Sequence, residues 1–320
     1  MHDGAAYPPC LHERKPDGEN MSLDQASIQQ PFDLHLHSNC SDGSDPPAQV
    51  VRAAYARGVT LLALTDHDNV VGIPEAMEEA EKIGVRLLPS IEMDAEWPHE
   101  MHILGLDIDI EEPRMREALV IALARRAERN TEIVVRLQRI GVDIRSYLNG
   151  DIGVATRLNI AIALVKGGYA ANTREAFAKY LRKGCPGFFT AERFTPETII
   201  QLIRGAGGVA VWAHPMNGNA DPHKLVPLLK ELGLQGLEGF HPSLSKGESV
   251  VLTSIARQKG LIVTCGSDYH GAHRPETVPG ETWHDTPLLR ECRAFFEARP
   301  ARTLARMEGN ARAHTEFAPF

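Results

Sequence analysis

The segment FDLHLHS, residues 32–38, alternates apolar residues with aspartate and histidine. Side chains at i and i+2 lie on the same face of a β-strand, so this alternation predicts a strand that carries His35 and His37 side by side. Asp42 follows just beyond the strand. Two imidazoles and a carboxylate are ligands that divalent transition metals accept. The segment therefore predicts both a sheet and a metal site at the end of its first strand.

Six further apolar runs favour β-structure. They lie at 60–65, 85–91, 101–106, 208–213, 235–240 and 261–266. Helical patterns follow most of the runs, at 46–57, 74–83, 196–206, 222–232 and 248–259. Alternation of strands and helices is typical of parallel strands, arranged in an open sheet or a barrel. The sequence therefore predicts an α/β fold.

The alternation is interrupted between residues 111 and 190. A long helical pattern covers 113–140, and shorter patterns cover 158–165 and 174–181. Active sites of parallel α/β folds lie at the carboxyl ends of the strands, and helices inserted near that end often cover the site. We therefore expect a helical insertion that acts as a cap over the substrate.

This pattern divides the chain into four regions. We expect a disordered leader at 1–30, a strand-and-helix unit formed by 31–110 and 191–285, the insertion at 111–190, and a C-terminal helix and tail at 286–320. The leader carries prolines and polar residues without an apolar signal core, which favours a cytoplasmic protein.

The composition limits the partners. The chain has 34 Lys and Arg residues against 42 Asp and Glu residues, a formal net charge of −8. A long nucleic acid favours a basic surface, so this balance argues against such a partner but not against a small nucleotide. No run reaches the ~18 apolar residues of a membrane helix. The five cysteines are scattered, which is typical of free thiols in a reducing compartment.

Nearly every predicted strand places a histidine or a carboxylate close to one of its ends. These residues are His35, His37, Asp42, His67, Glu92, His102, His214, Asp268 and His270. A single histidine at a strand end is usually structural, but nine such residues at one rim favour a multinuclear metal site. Nitrogen and oxygen ligands without thiolate suit Mn, Zn or Fe. Asp66 is a candidate to orient His67, with turn capping as the alternative. His241 at the end of the sixth predicted strand is expected to be structural, with a substrate contact as the alternative.

The strand-end motifs resemble those of the polymerase and histidinol phosphatase (PHP) family. In chain order they are DLHLHS with SDG, LTDHD, IE, HILGL, AHP and GSDYH, between residues 33 and 270. The resemblance implies a distorted seven-stranded (β/α)7 barrel with a helical insertion domain. It also implies three metal ions, commonly Mn²⁺, held by the nine strand-end residues, with Glu92 as a bridging ligand.

The insertion resembles a subgroup that includes nucleoside 3′,5′-bisphosphate phosphatases and 5′-3′ exoribonucleases acting on short RNA. TRLNIA, residues 156–161, is similar to a GRPHIA pattern whose arginine and histidine contact substrate phosphate. The resemblance implies a phosphate contact for Arg157. Asn159 replaces the histidine and can donate a hydrogen bond but cannot shuttle a proton. Lys183 lies where the family has a basic residue. The alternative for Arg157 and Lys183 is a solvated charge on a helix face.

These observations predict a metal-dependent phosphoesterase that acts on a small phosphorylated nucleotide or short RNA. Divalent ions held together lower the pKa of a bound water, which then attacks the phosphorus. Asp268, Glu92 and His214 are the expected catalytic ligands.

Two alternatives stay open. One is a small-molecule phosphomonoesterase such as histidinol phosphatase, against which the insertion and Arg157 count. The other is a non-catalytic metal-binding accessory module, against which the filled ligand positions count. The oligomeric state carries no signal in the sequence.

Overall fold

A computed structural model describes residues 30–98, 101–148, 152–217 and 220–303. Within them the strands are β1 (Phe32–Leu36), β2 (Leu61–Leu64), β3 (Arg86–Pro89), β4 (Ile91–Asp94), β5 (His102–Leu106), β6 (Val209–Trp212), β7 (Gly236–Phe240) and β8 (Ile262–Cys265). The α-helices are α1 (Pro47–Ala56), α2 (Ile73–Ile83), α3 (Pro113–Arg139), α4 (Arg157–Lys166), α5 (Thr173–Ala176), α6 (Pro196–Gly205), α7 (Pro222–Glu231), α8 (Lys246–Lys259) and α9 (Pro287–Glu297). Strands and helices alternate as the sequence predicts, which confirms an α/β fold.

The described strands form two sheets. Strands β1, β2 and β3 form a parallel three-stranded sheet, and β4 to β8 form a five-stranded sheet in chain order. The run predicted as one strand at 85–91 is divided at Ser90, because Pro89 has no amide hydrogen to continue the ladder. A closed seven-stranded barrel is therefore not confirmed within the described residues.

Backbone hydrogen bonds join the two sheets on both sides. On one side the amide of Asp268 donates to the carbonyl of His35 at 2.9 Å, and the amide of His37 donates to Tyr269 at 2.9 Å. On the other side the amide of Asp68 donates to the carbonyl of Glu92 at 2.9 Å. These bonds lie beside the predicted ligands, so the site is built where the two sheets meet.

Strand β5 corrects the expectation of parallel strands throughout. It runs antiparallel to both β4 and β6. The connection from β4, residues 95–101, is too short for a crossover helix, so the chain returns in the opposite direction. The first residue of β5, His102, consequently pairs with Asp94 at the end of β4. This reversal explains why a strand start contributes to a rim formed otherwise by strand ends.

The insertion has a hydrophobic core of its own. The main core is formed by the strands and by helices such as α1, α2, α6 and α8, with Trp212 and Phe296 fully buried. The second core is formed by apolar residues of α3, α4 and the chain that follows, including Ile133, Leu137 and Leu164. The side chain of Glu112 accepts from the amide of Met115 and caps the start of α3.

The predicted helix at 174–181 changes character part-way. Helix α5 ends at Ala176 and continues as a π-helical turn at Phe177–Leu181. The amide of Arg182 donates to the carbonyl of Phe177 at 3.0 Å, the i to i+5 bond that defines this wider turn. The sequence pattern shows helical spacing here but does not distinguish the two kinds of turn.

The termini are only partly described. The predicted leader falls almost wholly on residues 1–29, and the end of the predicted tail falls on 304–320; both lie outside the described residues. Helix α9 begins at Pro287, close to the predicted start of the C-terminal helix. None of the helices within the described ranges is long and apolar enough to span a membrane.

Candidate metal centre

The carboxylate of Glu92 lies at the centre of the predicted ligands. Its two oxygens lie 2.9–3.3 Å from one ring nitrogen of each of five imidazoles, those of His35, His37, His67, His102 and His214. Burial alone would raise the pKa of this carboxyl, but the imidazoles of His67, His35 and His102 hold the pKa well below its usual range. Glu92 is therefore a charged carboxylate with both oxygens directed at nitrogen ligands, which is the arrangement that a bridging ligand needs.

The described residues contain four overlapping groups of side chains that could hold metal ions. In each group the ligand atoms lie within 4.8 Å of one another: His37, Asp42, His67 and His270; His35, His241 and Asp268; His35, Glu92 and His214; and His67, Glu92 and His102. Because His35, His67 and Glu92 each belong to two groups, ions bound there would be close neighbours. The structure thus brings all nine predicted ligands together in one cluster.

Buried ring nitrogens test whether these residues fit a metal. Several have no hydrogen-bond partner within the described structure, namely Nε2 of His35, both nitrogens of His37, Nδ1 of His67, Nε2 of His241 and Nε2 of His270. Unpaired buried polar atoms are costly, and native proteins rarely leave several of them together. Bound cations would accept the lone pair of one ring nitrogen of each of these histidines, so the ligand set fits divalent metals.

Electrostatics at the site follow from the mixture of imidazoles and carboxylates. Burial favours the neutral form of Asp42, but His270 and His67 hold its pKa well below the usual range. Burial likewise opposes ionisation of Asp268, and Arg274 and His270 lower its pKa well below that range. For His270 and for His214, burial lowers the pKa, which favours the neutral imidazole that a metal requires.

Two predicted ligands have strained backbones. His214 has a φ of 30° and Asp268 a φ of 51°, and Asp68, next to the ligand His67, has a φ of 48°. Positive φ is uncommon for residues other than glycine and costs of order 1–3 kcal/mol. Positive φ at three positions around one cluster is typical of a functional site.

His241 lies beside the predicted ligands. Its Nε2 lies 3.4 Å from Oδ2 of Asp268, and it belongs to a group with Asp268 and His35 that could hold a metal ion. The sequence contains a signal for it: His241 is followed by proline at the end of a strand, as His214 is.

Glu238 was missed altogether. Its Oε1 lies 3.1 Å from Nδ1 of His35, and its Oε2 accepts from the amide of His214 at 2.7 Å. A carboxylate in that position fixes the ring of a ligand and makes the ligand more basic.

Asp66 holds a loop rather than a ligand ring. It accepts from the amide of Ser38 at 2.8 Å, from the hydroxyl of Ser38 at 2.6 Å and from the hydroxyl of Ser41 at 2.6 Å. These bonds shape the loop that leads to Asp42. The turn-forming alternative for Asp66 therefore describes its contacts better than an orienting role for His67.

A cavity of about 440 Å³ opens above the histidine cluster. Its histidine and carboxylate lining comes mainly from the strands, and its cationic lining comes mainly from the insertion. The arginines are Arg126, Arg129, Arg157, Arg174, Arg182 and Arg274. Apolar side chains, among them Leu158 and Phe177, complete the wall. The cavity therefore combines metal ligands, positive charge and one apolar surface.

Comparisons with known proteins agree with this geometry. Residues 33–156 match the family model described as PHP domain. A 5′-3′ exoribonuclease of Haemophilus influenzae is 35% identical to the chain, over 75% of the chain and 89% of the relative. A 3′,5′-nucleoside bisphosphate phosphatase of Chromobacterium violaceum is 33% identical, over 84% of the chain and 97% of the relative.

One solved structure is similar across nearly its whole length. It is an amidohydrolase from Chromobacterium violaceum with bound sulfate and no metal, with a TM-score of 0.78 and 32% identity, covering 86% of this chain and 99% of that chain. The chain belongs to the PHP family. The predictions of this family and of an enzyme that hydrolyses phosphate esters are confirmed.

Arg157 and Asn159, the two residues of the insertion that match the phosphate-contact motif, line different cavities. Arg157 lines the cavity, and its phosphate contact stays a prediction. Asn159 does not line it: its Oδ1 accepts from the amide of Thr156 at 2.7 Å and closes a capping box at the start of α4. Asn159 lines a neighbouring cavity instead. The hydroxyl of Thr156 donates to Oδ2 of the predicted ligand Asp42 at 2.9 Å, so this helix start contacts the ligand set directly.

Lys183 is exposed and does not line the cavity of this PHP protein, whereas its neighbour Arg182 does. Both residues follow the π-helical turn that ends at Leu181. The phosphate contact of Lys183 stays a prediction, and Arg182 is the adjacent basic residue that lines the cavity.

Helix α3 supplies the residues that sequence reasoning missed most completely. Arg126 and Arg129 are both buried and lie one turn apart. Arg126 contacts the carboxylate of Asp68 and lies 3.4 Å from Oδ2 of Asp94. Asp94 in turn lies 3.3 Å from Nδ1 of His67. Asp94 thus connects the histidine cluster to the arginines of the insertion.

Proposed function

We propose that this PHP protein hydrolyses a phosphate ester of a nucleotide, with the reacting phosphate at the histidine cluster. The observation that carries the proposal is Glu92, a charged carboxylate in contact with five imidazoles at the floor of a cavity that also contains six arginines. A site that binds only metal ions does not need six arginines in its wall. A phosphate ester suits metal ions together with arginines, because its oxygens are stabilised by metals and by guanidinium groups.

We propose three Mn²⁺ ions as the cofactors, with Zn²⁺ or Fe²⁺ as the alternatives that the same ligands accept. The proposed ligands are His35, His37, Asp42, His67, Glu92, His102, His214, Asp268 and His270, with His241 as an added candidate. Bound divalent ions would supply Lewis acidity at the phosphoryl oxygens and a nucleophile at neutral pH. Glu92, His214 and Asp268 are the proposed catalytic ligands, because each contacts several others and two of them have strained backbones.

The remaining residues either position the proposed metal ligands or contact the substrate. Glu238 fixes the ring of His35, and Asp66 fixes the loop of Asp42. Arg157 is proposed to bind a phosphate, and Phe177 offers an apolar ring suited to a base. We further propose that the two sheets together form the distorted seven-stranded barrel, with 111–190 as its cap. The inter-sheet hydrogen bonds and the separate core of the insertion support this division.

We propose nucleoside 3′,5′-bisphosphates or 5′-phosphorylated short RNA as the substrates, and the relatives' names, 3′,5′-nucleoside bisphosphate phosphatase and 5′-3′ exoribonuclease, support a nucleoside bisphosphate and an RNA. Both carry a phosphate beyond the one that reacts, which the arginines of the cavity can accept. A cytoplasmic location is proposed from the scattered cysteines, four of which are described and free.

Hydrolysis of a panel of phosphate esters tests the proposed function. The Mn²⁺-loaded protein is assayed with adenosine 3′,5′-bisphosphate, a 5′-phosphorylated trinucleotide and histidinol phosphate. We expect kcat/KM for at least one of the two nucleotide substrates to exceed that for histidinol phosphate by at least about 10-fold. This ratio corresponds to the contribution of one charge-assisted contact to a second phosphate. Preference for histidinol phosphate would favour the small-molecule alternative, and inactivity on all three would favour the non-catalytic one.

A further inference from the structure

Two buried arginines of α3 differ in how their charge is balanced. Arg126 and Arg129 are each 4% exposed, and both line the cavity. Arg126 contacts the carboxylate of Asp68 directly and has a second carboxylate, Asp94, at 3.4 Å. For Arg129 the ion pair to Asp94 is 3.9 Å long, measured from Nη1, which is beyond hydrogen-bond distance. One guanidinium is therefore neutralised within the fold, and the other is not.

The hydrogen bonds of Arg129 go to neutral oxygens. Its Nε and Nη2 donate to Oδ1 of Asn130 at 3.1 and 3.0 Å, and Nη2 also donates to the carbonyl of Ala155 at 3.3 Å. Burial, together with the neighbouring guanidinium of Arg126, lowers the pKa of Arg129 to about 9, which still leaves it charged at neutral pH. A buried charge with neutral partners costs free energy that an anion would recover.

The cavity around Arg129 has an excess of positive charge. Six arginines line it against four carboxylates, those of Asp42, Glu92, Asp94 and Asp268. Three of these carboxylates are proposed metal ligands, and Arg126 and the histidines share the fourth. The arginine side of the cavity is therefore cationic, although the chain as a whole carries a formal charge of −8. The ligand that suits this side is a multiply charged anion.

Arg129 also lies close to the proposed phosphate contact of α4. It shares the carbonyl of Ala155, two residues before Arg157, with the side-chain amide of Asn130, which donates to it at 2.7 Å. The guanidinium of Arg157 is near enough to lower the pKa of Arg129. Two cations that repel each other across one cavity are stabilised together by an anion between them.

We propose that Arg129 binds the non-reacting phosphate of a substrate that carries two phosphates, and that it determines the preference for such substrates. Arg126 is a positioning residue, because the carboxylates of Asp68 and Asp94 already balance its charge. The inference rests on the proposed function of the site, because it assigns the non-reacting phosphate of the same substrate to Arg129.

The test compares two variants with a control on the same helix. Arg129→Gln removes the charge and keeps a donor for Asn130, and Arg129→Lys keeps the charge without the planar fork. Arg116→Gln is the control, because Arg116 pairs with Glu111 at 3.2 Å on the exposed surface of α3, away from the cavity lining. The substrates are adenosine 3′,5′-bisphosphate and p-nitrophenyl phosphate, which has one phosphate.

We expect Arg129→Gln to lower kcat/KM on the bisphosphate about 10- to 150-fold, and on p-nitrophenyl phosphate by less than about 3-fold. Arg129→Lys should lie between Arg129→Gln and the unchanged protein. The control should leave both substrates unaffected. Equal losses on both substrates, together with a lower unfolding temperature, would mean that Arg129 supports the 152–155 segment, and the proposal would be wrong.

Binding gives a second measurement that does not depend on turnover. Calorimetric titration of the Mn²⁺-loaded protein with adenosine 5′-monophosphate should show a Kd raised about 10-fold or more in Arg129→Gln, while adenosine binding is unchanged. An unchanged Kd for the monophosphate would overturn the proposal. If the unaltered protein hydrolyses no phosphate ester but the titration shows the expected change, the proposed function fails and the anion site stands.

Discussion

The two sides of the cavity are built in different ways. The strand side is formed by short, mostly buried strands whose ends carry histidines and carboxylates, and the backbone at His214 and Asp268 is held at positive φ. The insertion side is formed by side chains that extend from α3, α4 and the turn after α5. Rigid strands suit a metal centre, where ligand positions must be fixed, and long side chains on a cap suit recognition of varied substrates. We infer from this difference that chemistry and specificity occupy separate parts of the molecule.

Separate parts should respond separately to mutation. A change on the strand side should reduce activity on every substrate, because all substrates use the same metals. A change on the insertion side should reduce activity on those substrates that reach the arginines. The four predictions below test this separation, beginning with the largest expected effect.

Substitution of Glu92 should have the largest effect. Glu92→Gln keeps the shape but removes the charge that five imidazoles share. We expect loss of more than one metal ion per chain and a fall in kcat of about 10³-fold or more on every substrate. Metal content by mass spectrometry and turnover of p-nitrophenyl phosphate give the measurement.

The control for Glu92 is His223→Ala, which removes an exposed histidine of α7 outside the cluster. It should retain full metal content and activity. His67→Ala and Asp268→Ala should behave like Glu92→Gln, with the fold intact by circular dichroism. Undiminished activity in the metal-free protein would contradict the assignment of the strand side.

Removal of Arg157 should separate the substrates. Arg157→Ala should lower kcat/KM on adenosine 3′,5′-bisphosphate by about 10- to 150-fold, the loss of one charge-assisted contact, and on p-nitrophenyl phosphate far less. Steady-state kinetics on the two substrates give the measurement. Equal losses on both would mean that Arg157 supports the fold or the metals, and the nucleotide assignment would lose its support from this residue.

The strand side could be predicted from the sequence because its geometry follows from local rules. Residues at i and i+2 of a strand share a face, and neighbouring strands of one sheet bring their ends to one edge. His35 and His37 follow the first rule, and Glu92 follows the second. The antiparallel pairing of β4 and β5, which places His102 beside Asp94, was not predicted. His102 was still included among the candidate ligands because it lies at a predicted strand boundary.

The insertion side could not be predicted in the same way. The spacing of Arg126 and Arg129 puts them on one face of α3, but the sequence does not say which face meets the cavity. The helix carries other charges at its surface, such as Arg116, so buried and solvated arginines have the same pattern. Asn159 is a further case, since a polar residue three positions after Thr156 fits a capping box as well as a phosphate contact.

Glu238 belongs to the strand side because it contacts two of the predicted ligands, His35 and His214. Glu238→Gln keeps the size of the side chain, but it leaves one acceptor oxygen for the ring of His35 and the amide of His214 and removes the charge that makes the ring of His35 basic. We expect metal affinity to fall about 10- to 100-fold while the substrate preference of the loaded enzyme is unchanged. Titration of the metal-free protein with Mn²⁺ measures the affinity. A changed ratio of bisphosphate to monoester turnover at saturating Mn²⁺ would contradict the separation of the two sides.

The smallest expected effect distinguishes two adjacent cations. Arg182 and Lys183 are both exposed and follow the π-helical turn at Phe177–Leu181, but of the two Arg182 lines the cavity and Lys183 does not. At the rim of the cavity a cation is screened by solvent, so each contact contributes about 1 kcal/mol or less. Arg182→Ala should therefore lower kcat/KM on the bisphosphate by about 3- to 5-fold, with a loss that disappears in 0.5 M salt, where the Debye length is only ~4 Å. Lys183→Ala should have no measurable effect at either salt concentration. The reverse result would mean that the family position, rather than the orientation of this turn, identifies the basic residue that meets the substrate.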